Sequence, residues 1–565
     1  MDKLADASEA GELNLTAQTS RPASASALPL RIAIAANVLT FFAIFISILE
    51  MNHGTFVYSL DDPYIHLALS DQIRHGHYGI NATENSAPSS SIAFPFLLAL
   101  ASGTPLHPYL PLVMNLLAAI VSVWILDCFF TQLKIFPDSR FGIIARAIAL
   151  YLLPLCANIV GVAFTGLEHN LHILTTMVCV YGAVLFLESG AIAWWLPFAV
   201  VLNPLIRYEG LALSFGVILV FALRKSWRMA LVCTALILLF AGAFSLFLLH
   251  LGLSALPSSI LVKTAVSSQG VSNHGSSLLS SLTGNAVEVL HLGIGKLLYL
   301  LLGIGLIYGF KDSLKWPWRW SNRALAVFLL LCLVGGHILG GHIGWLFRYE
   351  DYVLAGTVML YAYLFKKWIA SLFRHADRLT FSLAVALAIC VLLRDYPLNT
   401  FNTRWASGEV YRQQFQMHRF VSDYWRAPVA VNDLGLVSYR NPNYVLDLWG
   451  LGSEEARKLK AGNAGPDAYR NQLDRAHVHF AMIYDEWFSG RVPGSWVKVA
   501  TMNLVSHRAW AVAFTDVQFY ATDPQSANAL QPELAAFSST LPQGAKLTIY
   551  PPASRAVTID SSKAR

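Results

Sequence analysis

Charge is scarce in this sequence. Only 13% of its 565 residues are Asp, Glu, Lys or Arg, whereas a typical soluble domain has about 25%. Hydrophobic residues make up 55% of the chain instead. This composition excludes an ordinary soluble enzyme, which needs a charged surface, and a disordered chain, which has few hydrophobic residues.

Cysteine is also scarce, and several informative motifs are missing. The six cysteines all lie within apolar stretches, and none follows position 390. This distribution argues against a disulfide framework and against a zinc site. No basic tract accompanies the net charge of +6, which disfavours nucleic acid as a partner. The sequence also contains no nucleotide-binding signature and no internal repeat.

The few charges are unevenly distributed and divide the chain into three parts. Residues 397–565 contain 31 charged residues among 169, whereas the longer stretch 1–396 contains 43. Residues 1–30 are rich in Ser and Ala without hydrophobic periodicity, which predicts a disordered tail. We therefore predict a membrane-embedded part at 31–396 and a soluble domain at 397–565.

Apolar runs recur throughout the predicted membrane part. A helix needs about 20 residues to cross a bilayer, and eleven runs reach or approach that length. The fifth and sixth are short and suit a broken pair around Asn203 and Pro204. The runs lie at 32–50, 108–130, 142–161, 170–187, 191–206, 208–223, 229–250, 291–310, 324–346, 352–365 and 379–394.

The charges of the loops predict the orientation of these spans. Four loops on one side carry 14 Lys or Arg and three Asp, whereas the alternate loops carry four basic and nine acidic residues. Basic loops stay in the cytoplasm under the positive-inside rule. The sequence thus predicts a multi-pass membrane protein with a cytoplasmic N-terminus and an extracytoplasmic C-terminal domain.

Short strand-like runs alternate with helical ones in the C-terminal part, which predicts an α/β domain. The predicted strands lie at 429–432, 444–448, 478–484, 496–502, 517–521 and 546–550, and the predicted helices at 408–425, 453–461, 466–476 and 526–538.

The first outward loop, 51–92, carries two adjacent carboxylates, Asp61 and Asp62, directly before Pro63. Pro63 suits the first turn of a helix with Asp62 as its N-cap, which leaves the other carboxylate free to act. A structural role, in which both carboxylates cap and solvate the helix, explains the pair equally well. His66 lies one helical turn after Asp62, so a hydrogen bond along the helix would explain it.

Further charged residues recur at the outer ends of other spans. Each one alone is explained by a local ion pair, Arg207 with Glu209 or Arg348 with Asp351, or by snorkelling to the interface. Together they bring cations and carboxylates to one membrane face, where cations could bind a phosphate while a carboxylate removes a proton. The residues are Glu168, Arg207, Glu209, Lys263, Arg348, Glu350 and Asp351.

Several short motifs on this outward side follow one another in a recognisable order. They are Leu-Asp-Asp-Pro-Tyr at 60–64, His-Gly-His-Tyr-Gly at 75–79, Ala-Pro-Ser-Ser-Ser at 87–91, Gly-Leu-Glu at 166–168, Arg-Tyr-Glu-Gly at 207–210, Arg-Tyr at 348–349, Val-Asn-Asp-Leu-Gly at 431–435 and Val-Leu-Asp-Leu-Trp-Gly-Leu at 445–451. With them the chain resembles the GT-C class of integral-membrane glycosyltransferases, and most of all its cell-wall arabinofuranosyltransferase branch. That family usually has Arg-Pro-Glu-Gly where this chain has Arg-Tyr-Glu-Gly.

The resemblance implies an inverting transfer of a hexosyl or pentosyl group from a polyprenyl-phosphate donor to an extracytoplasmic glycan or lipid. It implies Asp61 as general base and Asp62 as a residue that positions the acceptor, although the reverse assignment stays open. It allows a divalent cation at Asp61 and Asp62, but no nucleotide cofactor. It further implies a bacterial cytoplasmic (inner) membrane, with the C-terminal domain in the periplasm. The candidates for binding the donor phosphate are Arg207, Lys263 and Arg348. We expect Glu168 and Glu209 to orient these cations or bind sugar hydroxyls, and Tyr64 and His66 are further sugar-binding or orienting candidates.

Two other functions stay open at this point: a transporter or flippase for a lipid-linked sugar with an outward polymer-binding domain, and a membrane-anchored scaffold. Transporters usually place ionisable residues near the bilayer midplane, whereas here they gather at the outer ends of the spans. Asp433 and Asp447 are explained as turn residues at strand ends. Trp425, Trp449 and Trp487 are explained by core packing rather than by sugar stacking.

Overall fold

A computed structural model describes residues 27–262, 278–313, 320–373, 393–505 and 509–551. Most of the predicted tail, Lys263, Cys390 and most of the last predicted span, 379–394, lie outside the described residues. Apolar helices make up most of the described chain before residue 365, and a sheet with flanking helices follows from residue 429 onwards.

The apolar helices confirm a multi-pass helical membrane protein. Five are long and apolar enough to cross a bilayer, or up to seven if two sharply bent helix pairs are each counted as one span. The figure of eleven spans stays a prediction. The helices are Leu28–Met51, Leu110–Gln132, Arg140–Cys156, Ile159–Ala163, His169–Ser189, Leu196–Ile206, Leu211–Leu223, Trp227–His250, Leu278–His291, Gly293–Ser313, Asn322–Leu330, Gly336–Gly340, Asp351–Leu364 and Lys366–Leu372.

The helix His169–Ser189 is the most enclosed of the candidate spans. In its most apolar stretch 72% of the residues are buried, compared with 28% in Leu28–Met51 and 22% in Trp227–His250. The two outer helices expose large apolar side chains such as Leu39 and Leu238. Exposure of this kind is costly in water but suits contact with lipid tails.

The loops predicted to share one side of the membrane meet at one end of the bundle. Lys366 Nζ lies 2.9 Å from Glu188 Oε2, and Arg224 donates a hydrogen bond to Asn322. These contacts join the ends of four helices that are distant in sequence. The assignment of this end to the cytoplasm stays a prediction.

The C-terminal part contains a six-stranded mixed sheet with the order β2-β1-β3-β5-β4-β6. The central strand β1 runs parallel to β2 and β3, and the remaining pairs are antiparallel. Strand β1 is buried along its whole length, as expected for a parallel strand covered on both faces. All six predicted strands are found: β1 Val429–Val431, β2 Val445–Asp447, β3 Phe480–Ile483, β4 Val497–Leu504, β5 Asp516–Ala521 and β6 Ala545–Ile549.

The helices around this sheet match the predictions except for the first. The predicted helix 408–425 begins earlier and is broken at Gln413, whose φ of −115° and ψ of −81° are not helical. Three pieces result, Asp395–Arg412, Gln414–Arg419 and the π-helical Phe420–Trp425. The others are Gly435–Ser438, Glu454–Ala461, Pro466–Arg475 and Pro524–Ser538.

The sheet domain docks onto the first outward loop, which contains the helix Asp62–Arg74 and is followed by the helix Phe94–Ala99. The Asn81 side chain donates to the carbonyl of Val445 and accepts from its N–H, both at 2.9 Å. Tyr444 donates to Glu84 at 2.5 Å. The first loop and the sheet domain therefore lie on the same side of the helical bundle.

Candidate active site

Asp61 connects the first loop to the sheet domain. The helix begins at Asp62, one residue before the predicted start, and the side chain of Asp61 does not cap it. Instead, the Asp61 carboxylate accepts hydrogen bonds from the N–H groups of Gly435 at 2.7 Å and Leu436 at 2.8 Å. Both oxygens of Asp61 are therefore bound by backbone donors.

A second carboxylate faces Asp61 from the sheet domain. Asp433 follows β1 and accepts hydrogen bonds from Gln414 at 3.0 Å and from the Tyr484 hydroxyl at 2.7 Å. Removal from water and the neighbouring charge of Asp433 raise the pKa of Asp61 to about 8, although the two backbone N–H groups oppose this shift. Removal from water also raises the pKa of Asp433. Asp61 therefore keeps its proton to a higher pH than an ordinary aspartate does.

Asp62 has different surroundings from its neighbour. Its side chain is 42% exposed, and its Oδ2 lies 2.7 Å from Nη2 of Arg348. The local pair of Arg348 with Asp351 that the sequence allowed is not formed, because neither carboxylate oxygen of Asp351 has a hydrogen-bond partner among the described residues. Asp62 thus combines access to solvent with a cationic partner.

The Arg348 guanidinium has N–H donors that no described residue accepts. The side chain is only 5% exposed, and Nη2 also donates to the Tyr349 hydroxyl at 2.8 Å. Nε and Nη1 are buried without a hydrogen-bond partner in the described chain. Burial lowers the pKa of Arg348, but Tyr349 and Asp62 more than offset this effect and raise it overall. The guanidinium stays charged, with two N–H groups available to an anion.

An unusual backbone turn presents Arg348. Residues 344–347 all have positive φ, with values of 48° to 63° at the three that are not glycine. This left-handed region is sterically unfavourable for residues with a Cβ. Two amide side chains stabilise the turn, because Asn158 and Asn399 both donate to the Leu346 carbonyl, at 3.0 and 2.9 Å. Arg348 is therefore held from its backbone as well as from its side chain.

A buried ion-pair triad lies beside this arginine. Arg207, only 3% exposed, pairs through Nη1 with Glu168 and through Nη2 with Glu209, each at 2.6 Å. The first of these carboxylates is fully buried and the second is 23% exposed. Burial opposes the charge of Arg207, but the two glutamates raise its pKa overall. The local pair of Arg207 with Glu209 is thus confirmed, and Glu168 joins it from a distant helix.

The aromatic ring of Tyr349 connects the two arginines. The guanidinium carbon of Arg348 lies 4.8 Å from the ring centroid and that of Arg207 lies 5.9 Å away. Both distances fall within the range of cation–π attraction. The ring thus packs one charge network against the other.

The remaining predicted residues lie around these networks. His66 contacts the Ser89 hydroxyl at 3.2 Å through Nδ1 and lies 3.8 Å from Glu168 through Nε2. Tyr64 is buried and accepts a hydrogen bond from the Tyr58 N–H. The structure therefore brings Asp61, Asp62, His66, Glu168, Arg207, Glu209 and Arg348 into connected contacts, with Tyr64 packed in the domain joint.

Sequence reasoning gave no role to Tyr349 and treated Asp433 as a turn residue. Asp433 follows a parallel strand at the edge of the sheet where functional side chains often gather, which was the one available signal. Asp447, in contrast, accepts backbone hydrogen bonds within its own turn, as predicted. Trp449 and Trp487 stack on each other at 4.1 Å, in agreement with packing.

The part of the chain that the structure describes contains no cluster of three or more His, Cys, Asp or Glu side chains suited to a metal ion. Both oxygens of Asp61 accept backbone hydrogen bonds, and Asp62 is paired with Arg348. The pair therefore does not make a metal site by itself, and the divalent cation stays a prediction.

Comparison with known proteins gives matches at the level of domains and folds. Residues 404–520 match a family described as a domain of unknown function, DUF8728. No curated protein sequence matches the chain.

Three solved structures similar to this chain carry informative descriptions. The oligosaccharyltransferase AglB from Archaeoglobus fulgidus shares 12% identity, covers 85% of this chain and 75% of its own, and has a TM-score of 0.47. ArnT from Cupriavidus metallidurans shares 10% identity, and the match covers 88% of this chain and 98% of the ArnT chain, with a TM-score of 0.44. The arabinofuranosyltransferase AftD from Mycobacteria shares 13% identity, and the match covers 88% of this chain and 42% of the AftD chain, with a TM-score of 0.39.

Proposed function

We propose that this protein is an inverting membrane glycosyltransferase that moves a sugar from a polyprenyl-phosphate donor to an acceptor hydroxyl outside the cytoplasm. One observation supports this most directly: the solvent-accessible carboxylate of Asp62 lies 2.7 Å from Arg348, which has two further unpartnered donors. A base for the acceptor and a cation for the leaving phosphate are thus adjacent.

In the proposed reaction, the acceptor oxygen attacks the anomeric carbon of the donor sugar from the face opposite the phosphate. The acceptor loses its proton to the carboxylate of Asp62, and a new carbon–oxygen bond forms. The bond between the anomeric carbon and the phosphate oxygen breaks, and its electron pair leaves with polyprenyl phosphate. Arg348 donates hydrogen bonds to the phosphate as its negative charge develops.

Asp62 is a better base than Asp61, the residue that the family resemblance favoured. Both oxygens of Asp61 already accept backbone hydrogen bonds, and its raised pKa favours the protonated form, which cannot take up the proton of an acceptor hydroxyl. Asp62 is 42% exposed, so an acceptor hydroxyl can reach it. We therefore assign the proton transfer to Asp62.

Arg207 has a supporting role in this proposal. Two carboxylates already balance its charge, so its attraction for a phosphate is weaker than that of Arg348. We propose that Arg207, Glu168, Glu209 and His66 hold the ring of Tyr349, and with it Arg348, in position. Lys263 stays a candidate phosphate contact, in a segment outside the described residues.

The proposed donor belongs to the same chemical class as ligands bound by two similar structures. AglB was solved with a dolichol-phosphate and an inhibitory peptide, and ArnT with undecaprenyl phosphate. We further propose the eleven-span topology, with the membrane part at 31–396, the sheet domain at 397–565 in the periplasm and the N-terminus in the cytoplasm. The hydrogen bonds between the first loop and the sheet domain, which put both on one side of the helical bundle, support this arrangement.

The test uses purified full-length protein with a panel of polyprenyl-phosphate sugars and measures release of polyprenyl phosphate together with glycosylated product. Asp62→Asn should lower kcat by about 100-fold to 10,000-fold, the usual range for loss of a general base. Asp61→Asn should cost less, and Asp467→Asn, on an exposed helix of the sheet domain, should have no effect. A folded Asp62→Asn variant that works at the wild-type rate would refute the assignment.

A further inference from the structure

The contact between Asp61 and the sheet domain requires a glycine. A Cβ built on Gly435 would lie 2.6 Å from Oδ2 of Asp61 and closer still to its carbonyl oxygen. Real Cβ atoms essentially never approach other atoms so closely, so a larger residue would push the two segments apart. The absence of a side chain at Gly435 therefore lets the carboxylate of Asp61 reach two backbone N–H groups at once.

This contact lies directly beside the second acidic residue of the sheet domain. Asp433 precedes the Gly435–Ser438 helix by two residues, and Gln414 and Tyr484 fix its carboxylate. The same helix is anchored at its other end by Tyr439, whose hydroxyl lies 3.1 Å from Nδ1 of His107. Residues 433–439 are thus held by Asp61 of the first loop near one end and by His107 at the other.

We propose that Asp61 is a positioning residue: through Gly435 and Leu436 it holds the sheet domain in place, so that Asp433 stands beside the base Asp62. The sheet domain is then a working part of the active site rather than an appended module. This inference rests on the proposed glycosyl transfer. It assigns Asp61 a role distinct from that of Asp62, although the two residues are adjacent in sequence.

The placement of Asp433 has a chemical consequence. Its carboxylate is close enough to interact electrostatically with both loop aspartates. A carboxylate next to the base favours the protonated form of that base, which forms as the acceptor loses its proton. Displacement of residues 433–439 would therefore reduce proton transfer while Arg348 and its phosphate contacts stay intact.

The first experiment compares Gly435→Ala with Gly494→Ala, a matched control in the same domain. A Cβ at Gly494 would meet nothing within 4 Å. We expect Gly435→Ala to lower kcat by about 100-fold, the cost of a misplacement of about 1 Å in an active site. Its affinity for polyprenyl phosphate should stay within twofold of wild type, and Gly494→Ala should match wild type in both measurements.

Hydrogen–deuterium exchange provides a readout of docking that does not depend on activity. Gly435→Ala and Asp61→Ala should both speed exchange across residues 433–439, and Asp61→Asn, which keeps one acceptor oxygen, should give an intermediate rate. Asp62→Asn should lower kcat by about 100-fold to 10,000-fold without changing exchange in this segment.

The outcomes separate this inference from the proposed function. If the wild-type protein transfers sugar but Gly435→Ala has wild-type kcat, or loosens the segment without loss of kcat, the positioning role is refuted and the glycosyltransferase stands. If no lipid-linked sugar is transferred by the wild-type protein while exchange responds as expected, the proposed function fails and Asp61 is only a docking contact.

Discussion

Replacement of Arg348 by alanine should be among the most damaging single changes to activity. The variant removes the partner of Asp62 and both unpartnered N–H donors of a side chain that is 5% exposed. If the fold is kept, we expect slow transfer with little change in the affinity for the acceptor. The reason is that, in the proposed mechanism, Arg348 contacts the leaving group rather than the attacking one.

The size of the effect can be worked out from the contacts. Charges about 4 Å apart attract by about 4 kcal/mol at an effective dielectric constant of about 20, but exposure of Asp62 to solvent reduces this toward about 1 kcal/mol. Loss of one preorganised donor to a developing anion costs about 2.7–4 kcal/mol in the transition state. The kcat of Arg348→Ala should therefore fall at least about 100-fold. Arg348→Lys keeps the charge but has one point donor group, so it should lose less.

The assay is single-turnover release of polyprenyl phosphate from saturating donor, with thermal unfolding in detergent as a check of folding. Arg470→Ala, on an exposed helix, serves as the matched control. A double variant of Arg348→Ala with Asp62→Asn tests the pair, because residues that act together lose less than the sum of their separate effects. Strictly additive losses, or a kcat for Arg348→Ala within about threefold of wild type, would refute the reasoning.

Three further expectations concern stability, pH and the aromatic ring. Glu168→Gln should destabilise the protein by about 2–3 kcal/mol. This is less than the loss of about 3–5 kcal/mol when a buried ion pair is fully broken, because Arg207 keeps its pair with Glu209. The control Glu188→Gln, at an exposed ion pair, should change the melting temperature little. Because the folded pKa of Asp61 is about 8 against 3.8 unfolded, stability should fall as pH rises from about 4 to about 8 and then level off; a melting temperature whose pH dependence is the same in Asp61→Asn would contradict this. Tyr349→Leu should weaken donor binding more than Tyr349→Phe, because only the latter keeps an aromatic face for the two guanidiniums; equal donor affinities of the two variants would count against a cation–π role.

The periodicity of the sequence predicted most of the fold because each element depends on its own residues. The six strands and the long apolar helices were found close to their predicted positions, since hydrophobic patterns and turn residues are local signals. The broken helix at Gln413 was missed, because its break depends on contacts with the sheet domain: Gln413 donates to the carbonyls of Phe514 and Thr515.

The sequence predicted which residues lie at the site, but not the separate roles that we propose for Asp61 and Asp62. Loop charges indicated that Asp62 and Arg348 lie on one face, but the pair joins residues 286 positions apart in the numbering of the chain. Asp61 and Asp62 are adjacent in sequence, and only their contacts in the fold, with Gly435 and with Arg348 respectively, distinguish them. The left-handed turn before Arg348 could not be predicted from the sequence, because Trp345, Leu346 and Phe347 are residue types that rarely adopt a positive φ.

That left-handed turn makes stability and activity compete at the same positions. Its three residues with a Cβ each cost about 1–2 kcal/mol relative to a right-handed conformation. Trp345→Gly would relieve part of that cost, and because the Trp345 side chain is 49% exposed, the fold would lose less buried surface there than at a core residue. The same change would loosen the backbone that presents Arg348. Selection for higher stability and selection for higher activity would therefore favour different residues in this turn.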